Sequence, residues 1–240
     1  MTIILTVLLI IGIIILAIWL YNQSSAPENI KNSVPTNISV KQSTRIKGRI
    51  GYFGLEDWWL STFNENEREY IVKTFSPLTY GSSEDTLISG NITDTSDTVV
   101  NMLSSLSGWF KKEPDRTIGY RLIKKAEDLI TAKTNILDLH FLYQHKIEIY
   151  YRYRAKDSFA LEETINACKK QIEISGQAKL AFKKEYKGEP LPSHTGFEIL
   201  TKLERDREVV IEIAKRALKE GWDGDWKEII KDCKEDLKGK

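Results

Sequence analysis

Histidine and cysteine are scarce in this chain, which has three His and two Cys among 240 residues. Cys168 and Cys233 lie far apart and match no zinc, iron–sulfur or CxxC spacing, so the sequence predicts no metal site. Two buried, reduced thiols are expected if the domain faces the cytosol, and a disulfide is the alternative.

The histidines do not form a pattern that is typical of catalysis. His140 and His145 lie five residues apart on one predicted helix, so their rings point about 140° away from each other. They cannot share a metal ion as an i, i+4 pair would. His194 is expected in the first turn of a helix, in a capping or packing role. Because the chain also lacks Gly-x-Ser-x-Gly, Walker, kinase and HExxH motifs, we predict no catalytic residue, no cofactor and no metal.

The chain also lacks an excess of charge of either sign, with 35 Lys and Arg against 34 Asp and Glu. No overall electrostatic field therefore favours a strongly acidic partner or nucleic acid. We predict that the chain does not bind nucleic acid. Acidic pairs such as Glu56-Asp57 are explained by helix caps and solvated faces.

Charged residues are missing altogether from residues 3–21, IILTVLLIIGIIILAIWLY, in which Thr6 is the only polar interruption. Nineteen helical residues span roughly 28 Å, close to the ~30 Å hydrocarbon core of a bilayer. Trp19 and Tyr21 suit the membrane interface. The pattern predicts a transmembrane helix that anchors the chain through residues 1–21.

Two other interpretations of this run fit less well. A cleavable signal peptide needs a positive start, a shorter apolar core and a small-x-small cleavage site. Here only Met1 and Thr2 precede the run, and the one plausible site, residues 24–26, is followed directly by Pro27. A buried core helix would carry a polar stripe, which this run does not have.

The basic residues around the predicted span indicate its orientation. No Lys or Arg precedes the span, and the first ones follow it, so the positive-inside tendency places the C-terminal side in the cytoplasm. We therefore expect a single-pass protein of the cell membrane with a cytoplasmic soluble domain. The basic residues that follow the span are Lys31, Lys41, Arg45, Lys47 and Arg49.

Two segments separate the predicted anchor from the main helical region. Residues 22–44 are polar, contain two prolines and are predicted to be a flexible linker with a span on the order of 25 Å. Residues 45–113 are predicted to form a small, aromatic-rich helical module. Its first ten residues, RIKGRIGYFG, are expected to be rich in turns, and Asn64 is expected to cap its second helix. A further helix is expected over residues 96–110.

Residues 114–240 show apolar side chains at three- and four-residue steps, which predicts a continuous series of helices. Asn135, Asp157, Ser193 and Asp225 are expected to cap four of them, and Gly221 to end one. The predicted fold class is all-α, with one transmembrane helix and a soluble domain of paired antiparallel helices.

Four stretches of this region carry a resemblance to a known family. Residues 206–218, DREVVIEIAKRAL, resemble a degenerate second helix of a tetratricopeptide repeat, with Ala217-Leu218 at the closing positions. The stretches CKKQI from Cys168, LPSHTGF from Leu191 and GWDGDW from Gly221 are similar to the tail of uncharacterised bacterial membrane-anchored proteins of tetratricopeptide-like type. The resemblance covers roughly residues 161–238. It implies a helical-repeat fold and no known activity for this tail.

Two function classes follow from these patterns. We favour a membrane-anchored adaptor or scaffold that binds a protein or peptide partner on its helical surface, because recognisable catalytic spacing is missing. The alternative is a membrane-tethered enzyme whose site lies between residues 45–113 and the helical tail. Convergent histidines or carboxylates in the largest cleft would favour the enzyme, and an open apolar groove would favour the adaptor.

Overall fold

The computed structural model describes residues 46–75 and 87–239. The predicted transmembrane segment, residues 3–21, and the predicted linker, residues 22–44, lie outside them. None of the helices in the described ranges has the length and apolar character needed to cross a bilayer. Regular structure in these ranges is helical, and strand pairing is limited to one isolated bridge between Ser193 and Asp223. The predicted all-α class is therefore confirmed for the described part of the chain.

The described residues form eleven helices. In chain order they are α1 (Gly48–Tyr52), α2 (Glu56–Thr62), α3 (Glu65–Thr74), α4 (Val99–Ser107), α5 (Arg116–Asp128), α6 (Ile136–Tyr151), α7 (Ser158–Glu173), α8 (Ser175–Glu185), α9 (Thr195–Leu203), α10 (Arg207–Glu220) and α11 (Trp226–Lys238).

One apolar core packs α1 to α3 against α4, α5 and α6. Trp59, Phe63 and Leu122 are each at most 1% exposed and belong to one buried apolar cluster, which extends from Ile50 to Ala160. This cluster therefore draws residues from both the predicted module, 45–113, and the helical region that follows it. Residues 45–240 group into one compact unit.

Local sequence signals explain where several helices begin. The side chain of Asn64 accepts the backbone N–H of Glu67, whose carboxylate accepts the N–H of Asn64, and this capping box starts α3 as predicted. Asn135 and Asp157 also cap their helices as predicted, since each side chain accepts backbone N–H groups of the first turn. Gly221 ends α10 with a φ of 86°, a left-handed conformation that favours glycine.

Four local predictions differ from the structure. Residues 48–52 form α1 where turns were expected, and α4 begins at Val99, after its cap Thr98, where a start near residue 96 was expected. Asp225 stands at the N-cap position of α11, but its side chain makes no capping hydrogen bond. The fourth difference concerns α9.

Ser193 does not cap α9, and the prediction was wrong by one residue. His194 is the N-cap, and its Nδ1 accepts the N–H of Phe197 at 3.4 Å. Ser193 is held in extended backbone instead, because it bridges Asp223, whose N–H donates to the carbonyl of Pro192 at 3.2 Å. The capping role expected for His194 is confirmed.

Candidate functional site

A buried cluster of two histidines and several aromatic rings joins α6, α8 and α9. His140 and His194 are 1% and 0% exposed, and their ring centroids lie 5.0 Å apart. Trp222, which follows α10, stacks on His140 with an interplanar angle of 11° and meets His194 edge-on at 4.6 Å. The structure thus brings together two histidines that the sequence placed on separate helices.

Both histidines are held neutral by their surroundings. Burial lowers the pKa of His140 to about 4. Burial, and next the neighbouring His140, lower the pKa of His194 to about 3. Because Nδ1 of His194 accepts a backbone N–H, the neutral ring carries its proton on Nε2, which is buried without a hydrogen-bond partner.

Gln171 connects three helices beside these rings. It is 0% exposed, its Nε2 donates to the carbonyl of His140 at 3.0 Å, and its Oε1 accepts the N–H of Gly196 at 2.7 Å. A Cβ at Gly196 would lie 2.9 Å from that Oε1 and 3.0 Å from the carbonyl oxygen of Cys168. Only glycine therefore allows α9 to approach α7 this closely.

A charged cleft of about 640 Å³ lies on the surface of α5, α6 and α7. At its base, the side chain of Lys146 is 6% exposed, and its Nζ lies 2.9 Å from both carboxylate oxygens of Glu127 and 2.5 Å from Glu163. Carboxylates do converge here. Since both are bound to the Lys146 ammonium group, and Glu127 also lies 3.8 Å from Lys170, they act as an ionic link between three helices.

An open apolar groove lies at the C-terminal end of α8, and we refer to it as the Tyr186 groove. It has a volume of about 250 Å³ and is lined by Phe182, Tyr186, Glu189, Leu191 and the two prolines that flank Leu191. Phe182 and Leu191 are 6% and 7% exposed and form the floor, whereas Tyr186 is 51% exposed. Phe182 also contacts the ring of His140 at 5.2 Å, so the groove lies directly over the histidine cluster.

Sequence patterns did not predict this groove, because the leucine between two prolines at Pro190-Leu191-Pro192 indicates a break between helices and not the surface that these residues cover. A usable signal was present in the spacing of Phe182 and Tyr186. Aromatic residues at i and i+4 lie on one face of a helix, and their ring centroids are 6.0 Å apart. A proline-flanked leucine that follows such a pair can complete an apolar concavity.

The largest of these clefts, about 660 Å³, lies between α9, α10 and α11 and is lined by groups of both charges. Cys233, which also lines it, is 4% exposed, and Cys168 is 0% exposed in a different apolar cluster. Both thiols are free, which confirms the expected buried, reduced state. Burial raises the pKa of Cys168 to about 12, so this thiol stays protonated.

Four clefts among residues 46–75 and 87–239 each lie within one of the two predicted segments. Three belong to residues 114–240, and the fourth, of about 260 Å³, lies near Tyr52 within residues 46–92. In the part of the chain that the structure describes, no group of three or more His, Cys, Asp or Glu side chains could hold a metal ion.

Comparisons with family models, with curated proteins and with solved structures find no match to this chain. The resemblance to tetratricopeptide repeats therefore stays a prediction. In the part of the chain that the structure describes, fold and surface define an all-helical domain with a neutral, buried histidine cluster beneath an open apolar groove.

Proposed function

We propose that this chain is a single-pass adaptor of the cell membrane whose helical body binds a segment of another protein in the Tyr186 groove. Residues 3–21 span the bilayer, and residues 22–44 tether the body close to it. The body lies on the cytoplasmic side, as the basic residues after the span indicate. The protein thereby holds its partner at the membrane surface.

The observation that carries this proposal is the exposure of an aromatic and proline surface at the Tyr186 groove. Tyr186 leaves 51% of its surface in contact with solvent, beside Pro190 and Pro192. Concave apolar surfaces that stay open to water are typical of binding sites for proteins and peptides. A groove of about 250 Å³ suits one or two side chains of a partner.

The connections between helices support a repeat-like arrangement. Six residues, 152–157, connect α6 to α7, and three residues, 204–206, connect α9 to α10. Helices that pack together across such short connections run antiparallel, since the chain has no length to return to the starting end. Helical pairs of this kind are the building units of adaptor domains in the tetratricopeptide class.

A membrane-tethered enzyme is the alternative, and the convergence of Glu127 and Glu163 on Lys146 is the observation that favours it. General acid and base groups need contrasting environments across a cleft. Here both carboxylates are bound to Lys146 and Glu127 also contacts Lys170, and the cleft lies on α5 to α7, outside the interface between modules where the site was expected. We therefore favour the adaptor.

Crosslinking in intact membranes tests the proposal. The full chain is crosslinked and recovered beside a version that lacks residues 1–44 and beside the variant Tyr186→Ala. Leu180→Ala is the matched control, because Leu180 is 68% exposed on the same helix but points about 120° away from Tyr186. We expect a partner that is recovered with the intact chain and with Leu180→Ala and is lost with Tyr186→Ala. Recovery that is equal for all versions, or only at background level, would overturn the proposal.

A further inference from the structure

We infer that the segment bound in the Tyr186 groove is acidic, with one large apolar side chain seated in the groove and carboxylates beside it. This inference rests on the proposed function and names the chemistry of its partner.

The groove itself selects for an apolar side chain. Its floor is formed by Phe182 and Leu191, and its volume of about 250 Å³ lies below the range that is common for cofactor pockets. A bulky aliphatic or aromatic side chain would replace water on these surfaces without leaving a buried polar group unpaired.

Two lysines share the helix face on which Tyr186 lies. Lys183 precedes Tyr186 by three residues and Lys179 by seven, so both project within about 60° of it around the helix. Among the described residues, neither ammonium group lies within ion-pair distance of a carboxylate. By contrast, Lys146 and Lys170 on the neighbouring helices both contact Glu127. Lys179 and Lys183 do not line the groove, but they lie on the face of α8 that leads to Tyr186 and are available to a partner.

The electrostatics of the helix end do not account for both lysines. A cation in the last turn of a helix offsets the partial negative charge of its free carbonyl groups, which explains Lys183. Lys179 lies six residues before the end of α8, outside that last turn. Counted over residues 179–189, four lysines stand against two glutamates, Glu185 and the groove-lining Glu189. The face around Tyr186 is thus positive overall, and an acidic segment complements it.

Defined peptides test this inference on the full chain in a mild non-ionic detergent. Three fluorescein-labelled peptides share a central Leu-Phe pair, and their flanking residues are Asp, Ser or Lys. Binding is followed by fluorescence anisotropy at low and at physiological salt. The protein variants are Lys183→Glu, Lys184→Glu and Tyr186→Ala, each checked for unchanged helical content.

Lys184→Glu is the matched control for Lys183→Glu. It makes the same change in charge one residue further along, but Lys184 projects about 160° away from Tyr186. We expect the Asp-flanked peptide to bind about tenfold more tightly than the Ser-flanked one. Lys183→Glu should weaken the binding of the Asp-flanked peptide about fivefold, and Lys184→Glu should weaken it less than twofold. Tyr186→Ala should weaken the binding of every peptide about thirtyfold.

The possible failures separate this inference from the proposed function. Equal binding of the three peptides, lost in Tyr186→Ala, overturns the charge preference and leaves docking in the groove intact. Equal effects of Lys183→Glu and Lys184→Glu overturn the placement of the carboxylates. If no peptide binds, the inference is overturned, and the membrane crosslinking with Tyr186→Ala then decides whether the proposed function is lost with it.

Discussion

Lowering the pH from 8 to 5 should reduce the free energy of unfolding, because His140 and His194 take up protons in the unfolded chain and stay neutral in the folded one. Their folded pKa values are about 4 and about 3, against an ordinary value of 6.5. Above pH 6.5 both states are neutral at these positions, so the histidines then have no effect on stability. As the pH falls below 6.5, only the unfolded state gains charge, and stability is lost.

The size of this loss follows from the three pKa values. At pH 5, each histidine should cost about 2 kcal/mol relative to pH 8, and the two together about 4 kcal/mol. His145, whose pKa burial also lowers, contributes in the same direction. Carboxylates interfere little in this window. The hydrogen bond with Arg121 lowers the pKa of Glu67 from 4.5, and the stability that this provides is lost only at lower pH.

Chemical denaturation of the full chain at several pH values between 8 and 5, followed by circular dichroism, measures the loss. His194→Asn is the informative variant, because asparagine can still cap α9 but does not titrate. In this variant, the decrease in the free energy of unfolding that His140 and His194 cause should fall from about 4 to about 2 kcal/mol. If His194→Asn and the double variant His140→Gln/His194→Asn lose as much stability as the natural chain, the buried histidines are not its cause.

Two further substitutions test how the helices are held together. Gly196→Ala should lower the free energy of unfolding by about 2 kcal/mol, because the added Cβ meets Gln171 at 2.9 Å, and unchanged denaturation would refute this close approach. Lys146→Met should cost about 3 kcal/mol, because it removes the buried cation between Glu127 and Glu163 and leaves Glu127 only the half-exposed Lys170 at 3.8 Å. Adding Glu127→Gln should restore part of this loss, and a double variant no more stable than the single one would contradict the ionic link.

Much of the helical framework is local information and could be predicted from the sequence. Asn64, Asn135 and Asp157 cap helices at the predicted positions, because a capping side chain bonds to backbone groups only two or three residues away. The prediction that Ser193 caps α9 was wrong, because the start of α9 depends on a contact between Ser193 and Asp223, 30 residues further along the chain. Such a contact leaves no trace in local composition.

The candidate site depends on packing between distant segments, which the sequence does not specify in the same way. His140 and Trp222 stack although 82 residues separate them, and Trp222 lies between two helices, where apolar periodicity gives no information about its contacts. The Tyr186 groove was missed for a related reason. Proline predicts that a helix stops, but it does not show which surface the following residues cover.

Photocrosslinking at the groove in intact membranes tests the central claim most directly. A benzoylphenylalanine is placed at position 186 or, as the control, at position 180 of the full chain, and the adducts are separated by size. We expect one discrete protein adduct from position 186 that the Asp-flanked peptide reduces, and no such adduct from position 180. Equal adducts from both positions, or none from position 186, would contradict the account that this groove binds a protein partner.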